Sequence, residues 1–179
     1  SDLGSMMGSG CMIVMDEDDC MVSVAKFYLE FTVDESCGKC TPCRIGNKRL
    51  LEILTRITEG KGTMDDLQHL KELSEVIKDT ALCGLGQTSP NPVLSTINNF
   101  WDEYVEHVKM HTCRAKQCKA LVTYSIDPAK CKGCGACKRK CPANAIMGDM
   151  RKPHIINPYE CIRCGMCKSN CRFDAISVY

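Results

Sequence analysis

Apolar residues recur with a helical period along the first part of the chain. In residues 19–31 the apolar positions follow the i, i+3, i+4, i+7 spacing of one helix face, and they are Met21, Val24, Ala25, Tyr28 and Leu29. Comparable patterns occupy residues 49–57, 65–79 and 92–108. Because segments rich in glycine and proline separate these patterns, the sequence predicts four helices with short connections, as in a small bundle.

The C-terminal part of the chain has a different organisation, an internal repeat. Residues 126–146 (IDPAKCKGCGACKRKCPANAI) align without a gap with residues 156–176 (INPYECIRCGMCKSNCRFDAI). Apolar segments at residues 120–126 and 175–179 flank the repeat, and we expect them to pair as edge strands. Helices followed by a short-stranded repeat predict an α+β fold class.

Each repeat carries four cysteines in a C-x2-C-x2-C-x3-C run. Bacterial two-cluster ferredoxins use this run to bind [4Fe-4S] clusters, and the fourth cysteine of each run ligates the other cluster. We therefore expect one cluster on Cys131, Cys134, Cys137 and Cys171, and another on Cys161, Cys164, Cys167 and Cys141. Zinc modules usually divide their ligands into two pairs separated by a longer loop, so these runs favour iron-sulfur clusters over zinc.

A further cysteine run lies in residues 35–46 (ESCGKCTPCRIG), where Cys37, Cys40 and Cys43 are each separated by two residues. Three thiolates at this spacing fit a third cluster, which then requires a fourth ligand from elsewhere in the chain. Cys83 lies in ALCGLG between the third and fourth predicted helices, so the end of a bundle could return it to the triplet. By spacing alone, Cys11 and Cys20 compete with Cys83.

The charge distribution divides the chain into two unlike halves. Residues 1–112 contain ten Lys or Arg against 18 Asp or Glu, a balance of −8, whereas residues 113–179 contain 13 against four, a balance of +9. The basic half predicts an acidic partner. Since few aromatic residues accompany these cations, we expect an acidic redox protein as the partner and no nucleic acid.

The sequence also bears on location. The chain has 16 cysteines in 179 residues, but most of them stand in tight runs, and residues 1–20 show neither the basic nor the apolar region of a signal peptide. No stretch approaches the length of apolar residues that a membrane span requires. We therefore expect reduced cysteines, a cytoplasmic location and no membrane partner.

The segment ESCGKCTPCRIG, followed by LCGLG, resembles the cluster-binding part of the NADH-binding flavoprotein subunit of respiratory complex I. With the ferredoxin repeat behind it, the chain is similar to the C-terminal part of the NAD(P)-binding flavoprotein (beta) subunit of electron-bifurcating hydrogenases and related formate dehydrogenases. The resemblance implies that Cys37, Cys40, Cys43 and Cys83 bind one [4Fe-4S] cluster. It also implies that FMN and NAD(P) bind in a preceding domain. In agreement with this, the chain has no G-x-G-x-x-G motif and no P-loop.

These observations predict four parts. Residues 1–18 are the tail of a linking domain, residues 19–112 a helical bundle with one cluster, residues 113–124 a linker, and residues 125–179 a 2[4Fe-4S] ferredoxin-like domain. The expected function is to relay single electrons through three [4Fe-4S] clusters between flavin, the partner subunits of a hydrogenase or formate dehydrogenase complex, and an acidic soluble ferredoxin. We expect no catalytic residues in this segment. The alternative is a structural or adaptor module, stabilised by clusters or zinc, that binds nucleic acid or partner subunits.

Four cysteines, Cys11, Cys20, Cys113 and Cys118, remain outside the predicted clusters. Cys11 and Cys20 are most simply buried reduced thiols. His107, Cys113 and Cys118 stand together where the helical patterns end, and they form a candidate zinc site whose fourth ligand is His111, Cys20 or a residue of another subunit. Ordinary thiols and a surface histidine are the alternative. A zinc ion here would fix or hinge the ferredoxin-like domain.

Overall fold

The structure is a computed structural model, and it describes residue 10 and residues 12–179. Much of the predicted tail at residues 1–18, including Cys11, therefore lies outside the described residues. Across the part of the chain that is described, none of the helices combines the length and the apolar character needed to cross a bilayer.

The first part of the chain is helical, as its periodicity predicts. Six α-helices follow in order: α1 (Met21–Asp34), α2 (Asn47–Thr58), α3 (Met64–Thr80), α4 (Gly84–Thr88), α5 (Asn91–Asn99) and α6 (Trp101–Val105). A π-helical turn, Pro42–Gly46, leads into α2, and a second one, Glu106–Met110, continues α6. The structure thus confirms helices in all four predicted segments and adds the π turns and α4, which short segments without clear periodicity form.

The fourth predicted helix, residues 92–108, is not continuous. It divides at Phe100, whose φ of −128° and ψ of 39° are not helical, into α5 and α6. The Tyr104 hydroxyl lies 2.8 Å from the Thr96 Oγ1 in the buried interior. Eight residues of continuous helix would separate these positions by about 12 Å along the axis. The break therefore allows Tyr104 to fold back onto α5.

One core joins the helices and extends into the predicted linker. Its buried residues include Leu29, Leu54 and Ile97 from the helices, and also Cys113, Cys118 and Leu121 from residues 113–124. A short 3-10 turn, Lys119–Leu121, places Leu121 against this core. The linker segment is therefore packed on the helical part for much of its length.

The start of α3 is fixed by a capping box. The Asp66 amide donates to the Thr63 Oγ1, and the Asp66 carboxylate accepts from the Thr63 amide at 2.9 Å and contacts Arg56. Burial alone would raise the pKa of Asp66, but its hydrogen bonds with Thr63 and the charge of Arg56 outweigh burial and lower the pKa.

Replacing Asp66 should therefore loosen α3. We expect Asp66→Ala to lower the local unfolding free energy by about 2 kcal/mol at neutral pH, seen as about 30-fold faster hydrogen exchange of the α3 amides. Because the folded pKa is depressed, the deficit should shrink as the pH falls through the folded pKa. Asp65→Ala, in the same helical turn but exposed, is the matched control. Equal effects of the two variants would contradict this role of the capping box.

The C-terminal part consists of short elements that repeat. These are β1 (Tyr124–Ile126), α7 (Ala136–Arg139), β2 (Ile146–Met147), β3 (Ile155–Ile156), α8 (Met166–Ser169) and β4 (Ile176–Val178). β1 pairs with β4 and β2 pairs with β3, both antiparallel. The predicted pairing of the two flanking segments is confirmed, and the chain is α+β. Each sheet takes one strand from each repeat, so neither repeat forms a sheet alone.

Candidate iron-sulfur and zinc sites

Two cavities lie between the C-terminal repeats. The first C-terminal cavity is bordered by Cys131, Cys134, Cys137 and Cys171. The second C-terminal cavity is bordered by Cys141, Cys161, Cys164 and Cys167. Each cavity thus receives three thiols from one repeat and one from the other. The structure brings together both quartets that the sequence predicts.

The walls of these cavities are apolar and contain backbone donors. Ile126 and Ile176 line the first cavity, and Ile146 and Ile156 line the second. Burial raises the pKa of the Cys137 and Cys167 thiols. The Ala175 amide donates to the Cys171 Sγ, and the Arg163 amide donates to the Cys161 Sγ, both at 3.4 Å. Thiols among apolar walls and N–H donors suit iron-sulfur clusters, which need thiolate ligands and hydrogen bonds to sulfur.

Glycine allows the chain to turn tightly at equivalent points of the two repeats. Gly135 precedes α7 with a φ of 70°, and Gly165 precedes α8 with a φ of 76°. Both values lie in the left-handed region that glycine adopts readily. These turns place the second and third cysteines of each run beside the same cavity.

In the helical part, the predicted triplet follows α1 and extends into the first π turn. Cys43 is buried and Cys37 is exposed. Hydrogen bonds from the backbone of Leu82 and of Cys43 lower the pKa of the Cys40 thiol. Because Leu82 immediately precedes Cys83, this contact brings the start of α4 to the triplet.

The contact between α4 and the triplet is close. A Cβ atom at Gly86 would lie 2.7 Å from the Ala81 Cβ and 3.3 Å from the Cys43 Cβ. Only a residue without a side chain fits there without displacement. Cys83 is the N-cap residue of α4 and has extended backbone angles, so it lies in a loop as the sequence predicts. Gly86 thus brings α4 against the π turn that carries Cys43.

Polar side chains that sequence reasoning missed surround Cys43. The Asn47 Nδ2 donates to the Cys43 Sγ at 3.5 Å, and the Ser36 Oγ lies 3.2 Å from the same sulfur. The Ser89 Oγ donates to the Asn47 Oδ1 at 2.9 Å and so holds the amide in this orientation. Asn47 and Ser89 are buried. The sequence feature that could have indicated this contact is the spacing of Asn47, which lies one helical turn after Cys43.

A fourth group of ligand atoms, the junction group, consists of Cys20, His107, Cys113 and Cys118. All four residues are buried, and their ligand atoms lie within 4.8 Å of one another. The Cys20 Sγ lies 3.3 Å from the His107 Nε2 and 3.7 Å from the Cys118 Sγ. Tetrahedral zinc with Zn–S bonds of about 2.3 Å separates its ligand atoms by about 3.8 Å. The junction group therefore has the donor set and the spacing of a single zinc site.

The surroundings of the junction group orient its histidine. The His107 Nδ1 donates to the Glu103 carbonyl oxygen at 2.7 Å, which leaves Nε2 facing the three sulfurs. Burial acts to lower the pKa of His107, but hydrogen bonds with Cys113 and Cys20 outweigh burial and raise the pKa to about 10. Hydrogen bonds from Cys118 and Cys20 lower the pKa of Cys113. His111, one of the predicted alternatives for the fourth ligand, is exposed, and Cys20 occupies that position instead.

Basic side chains surround the outer side of the first C-terminal cavity. We call Arg139, Lys140 and Arg172 the basic face. They border a surface depression together with Phe173 and the exposed Cys134, and no carboxylate belongs to this lining, all of which is described. The exposed residues that line the second cavity are Ile162, Cys164 and Met166, and none of them is basic. The two ends of the repeat thus differ in charge.

Two known families match successive parts of the chain. Residues 23–107 match the family described as the NADH-ubiquinone oxidoreductase-F iron-sulfur binding region. Residues 123–172 match the family described as the 4Fe-4S dicluster domain. The first match contains Cys37, Cys40, Cys43 and Cys83, and the second contains both cysteine runs of the repeat.

Individual proteins are similar to larger parts of the chain. The NADP-reducing hydrogenase subunit HndC of Solidesulfovibrio fructosivorans is 69% identical over 172 residues, which are 96% of this chain and 35% of that protein. An NADH-quinone oxidoreductase subunit of Mycobacterium tuberculosis (strain ATCC 25618 / H37Rv) is 40% identical over 110 residues, which are 62% of this chain and 25% of that protein. The chain therefore spans about a third of the first relative and a quarter of the second.

A solved structure shares the fold of part of the chain. The crystal structure of an NAD+-reducing [NiFe]-hydrogenase in the H2-reduced state superimposes with a TM-score of 0.52 at 30% sequence identity. The match covers 54% of this chain and 16% of that chain.

Proposed function

Because this chain combines an NADH-ubiquinone oxidoreductase-F iron-sulfur binding region with a 4Fe-4S dicluster domain, we propose that it is the electron-transfer segment of a multisubunit NAD(P)- and ferredoxin-linked oxidoreductase of the hydrogenase type. The observation that carries the proposal is the crossed arrangement of thiols around two closely similar cavities. Single-electron transfer is the chemistry that [4Fe-4S] clusters supply when bound.

Three clusters and their ligands form the first part of the proposal. Their ligands are Cys37, Cys40, Cys43 and Cys83 for cluster 1, Cys131, Cys134, Cys137 and Cys171 for cluster 2, and Cys161, Cys164, Cys167 and Cys141 for cluster 3. The backbone donors and Asn47 would stabilise negative charge on sulfur, and the apolar walls would keep water away. The buried Nε2 of His154, which has no hydrogen-bond partner among the described residues, fits an acceptor such as cluster sulfur in the first cavity that His154 lines.

The reaction partners of these clusters lie outside this chain. The sequence has no G-x-G-x-x-G motif and no P-loop, so we assign the binding of FMN and NAD(P) to other parts of the complex. The similarity to HndC favours a hydrogenase complex over a formate dehydrogenase complex. The relay residues proposed here serve either complex equally, with or without electron bifurcation.

A zinc ion in the junction group forms the second part of the proposal. Cys20 precedes α1, His107 belongs to the turn that continues α6, and Cys113 and Cys118 lie in the segment that leads to β1. The Gln117 side chain also donates to the Asp18 carbonyl oxygen at 2.7 Å. Zinc bound to these ligands would fix the junction through which the dicluster domain is attached.

An acidic soluble ferredoxin at the basic face forms the third part. The exposed Cys134 lies among Arg139, Lys140 and Arg172, and none of these cations forms an ion pair with another described residue. Uncompensated cations around an exposed cluster ligand would attract an acidic carrier to the edge of cluster 2.

Metal analysis of anaerobically purified protein tests the cluster and zinc assignments together. We expect about 12 iron and 12 sulfide per chain, the sum of three four-iron clusters, and one zinc. Cys83→Ala should lower iron toward eight and leave zinc unchanged, whereas Cys118→Ala should remove zinc and leave iron unchanged. Each variant is thus the control for the other. Several zinc ions with little iron, even after reconstitution, would support the structural adaptor instead.

A further inference from the structure

His154 occupies an unusual position beside the first C-terminal cavity. It is only 1% exposed, and it lines this cavity together with the four cysteines. Its Nε2 is the buried side-chain nitrogen without a hydrogen-bond partner among the described residues. Burying a polar group without a partner is costly, so such a group requires an explanation.

The contacts of the imidazole ring restrict where Nε2 can find a partner. The Nδ1 lies 3.2 Å from the Lys152 carbonyl oxygen, at the long end of the hydrogen-bond range. Gly148 packs against the Cγ and Cδ2 of the ring, because a Cβ atom at Gly148 would lie about 3 Å from both. Backbone thus occupies two sides of the ring. The cavity bordered by Cys131, Cys134, Cys137 and Cys171 is the remaining place for a partner of Nε2.

The repeat supplies an internal comparison. The residue 30 positions before His154 is Tyr124, which lines the second cavity in the same way. Tyr124 is partly exposed, and its hydroxyl lies 3.0 Å from the Cβ position of Gly165, at the edge of that cavity. The two cavities therefore share their thiol pattern and several apolar wall residues, but they differ at this position and at Lys132, whose equivalent in the second cavity is Ile162.

We propose that His154 donates a hydrogen bond from Nε2 to a sulfur of the cluster ligated by Cys131, Cys134, Cys137 and Cys171, and that it raises the reduction potential of this cluster above that of its partner. The inference rests on the proposed cluster in the first cavity. Both the cluster sulfurs and the Lys152 oxygen accept hydrogen bonds, and the negatively charged cluster is the stronger acceptor. The ring therefore places its proton on Nε2 to donate to the cluster, and Nδ1, at 3.2 Å from the Lys152 oxygen, need not donate a hydrogen bond.

The hydrogen bond changes the potential because reduction adds negative charge to the cluster. A donor to sulfur stabilises the more negative, reduced state to a greater extent, so reduction becomes more favourable. The two clusters of the repeat would then be unequal carriers, and an electron would reside preferentially on cluster 2, beside the basic face. His154 thus adjusts the reduction potential of the cluster and is not one of its ligands.

Replacement of His154 tests this assignment. In anaerobically purified full-length chain, a redox titration followed by EPR should show one component with a lower midpoint potential in His154→Leu. At a fixed ambient potential we expect the ratio of reduced to oxidised cluster to fall about tenfold, which corresponds to a midpoint lower by about 59 mV for a one-electron couple. His154→Gln keeps an N–H near the Nε2 position, so its midpoint potential should lie close to that of the unmodified chain. Tyr124→Phe should leave this component unchanged.

A spectroscopic measurement on the unmodified chain does not depend on the stability of the variants. With 15N-histidine, pulsed EPR of the reduced protein should show nitrogen coupled to one cluster, and the coupling should disappear in His154→Leu. Absence of this coupling in the unmodified chain, or unchanged midpoints in His154→Leu with full iron content, would overturn the role of His154. Lack of iron in the unmodified chain would instead reject the proposed clusters themselves.

Discussion

Removal of iron should unfold residues 122–179 while the core of the helical part remains folded. Among the described residues, the hydrophobic core of the C-terminal part has six buried members, of which two are predicted ligands, whereas the core that joins the helices has 18. Two-stranded sheets and helices of four residues have little stability of their own. In a segment of this size the metal groups would supply the stability that apolar burial cannot.

Hydrogen exchange measures this difference residue by residue. The informative amides are those that close the two sheets. The Thr123 amide donates to the Tyr179 carbonyl oxygen, the Asp127 amide to that of Ala175, and the Asn157 amide to that of Ala145, with N···O distances of 2.7 to 2.8 Å. After iron removal we expect their protection to fall at least about a hundredfold, which corresponds to about 2.7 kcal/mol. The amides of α2 and α3 should keep most of their protection, because Leu54, Leu67 and Ile77 remain buried without any metal.

Ligand variants separate the effect of the two C-terminal clusters from that of cluster 1. Cys141→Ala with Cys171→Ala removes the ligand that each repeat gives to the other cavity, and it should reproduce the loss of protection in residues 122–179. Cys83→Ala removes a predicted ligand from the helical part and should leave those amides protected. Persistent protection of residues 122–179 after complete loss of iron would show that apolar packing alone holds this domain.

Reversal of charge on the basic face should slow electron exchange with an acidic ferredoxin. In the assembled complex, Arg139→Glu with Lys140→Glu and Arg172→Glu should lower the ferredoxin-linked rate at low salt at least about tenfold. Exposed charge pairs contribute about 0.2 to 1 kcal/mol each, and three lost attractions that become repulsions are sufficient for this change. The reduction of a small neutral dye by NAD(P)H should be unaffected, because it requires no docking of an acidic protein.

The salt dependence distinguishes docking from a change in cluster potential. The unmodified complex should lose ferredoxin-linked activity as salt screens the attraction. At high salt the rates of the unmodified complex and of the charge-reversed variant should converge. A difference that persisted at high salt would indicate an altered potential instead. The matched control reverses three exposed lysines of the helical part, Lys48, Lys71 and Lys78. If that variant slowed the reaction equally, net charge and not the basic face would govern the association.

The sequence by itself determined where the helical segments and the repeat lie. Periodicity predicted the helical segments, since burial of one face requires apolar residues at that spacing. The gapless repeat predicted the symmetric strand pairing, and the cysteine spacing predicted both crossed quartets. The helical segments and the strand pairing are confirmed because they depend on local geometry or on a pattern present in duplicate, and the assignment of the quartets to clusters stays a prediction.

Only the tertiary structure decided which distant residues meet. Cys20 joins His107, Cys113 and Cys118 across almost a hundred residues, and the sequence left Cys20, His111 and another subunit as alternatives. The contact between Thr96 and Tyr104 forms after the chain folds back at Phe100. His154 has no motif of its own, and its significance arises from a cavity that both repeats enclose. Long-range contacts depend on the packing of whole elements, and no local pattern in the sequence records that packing.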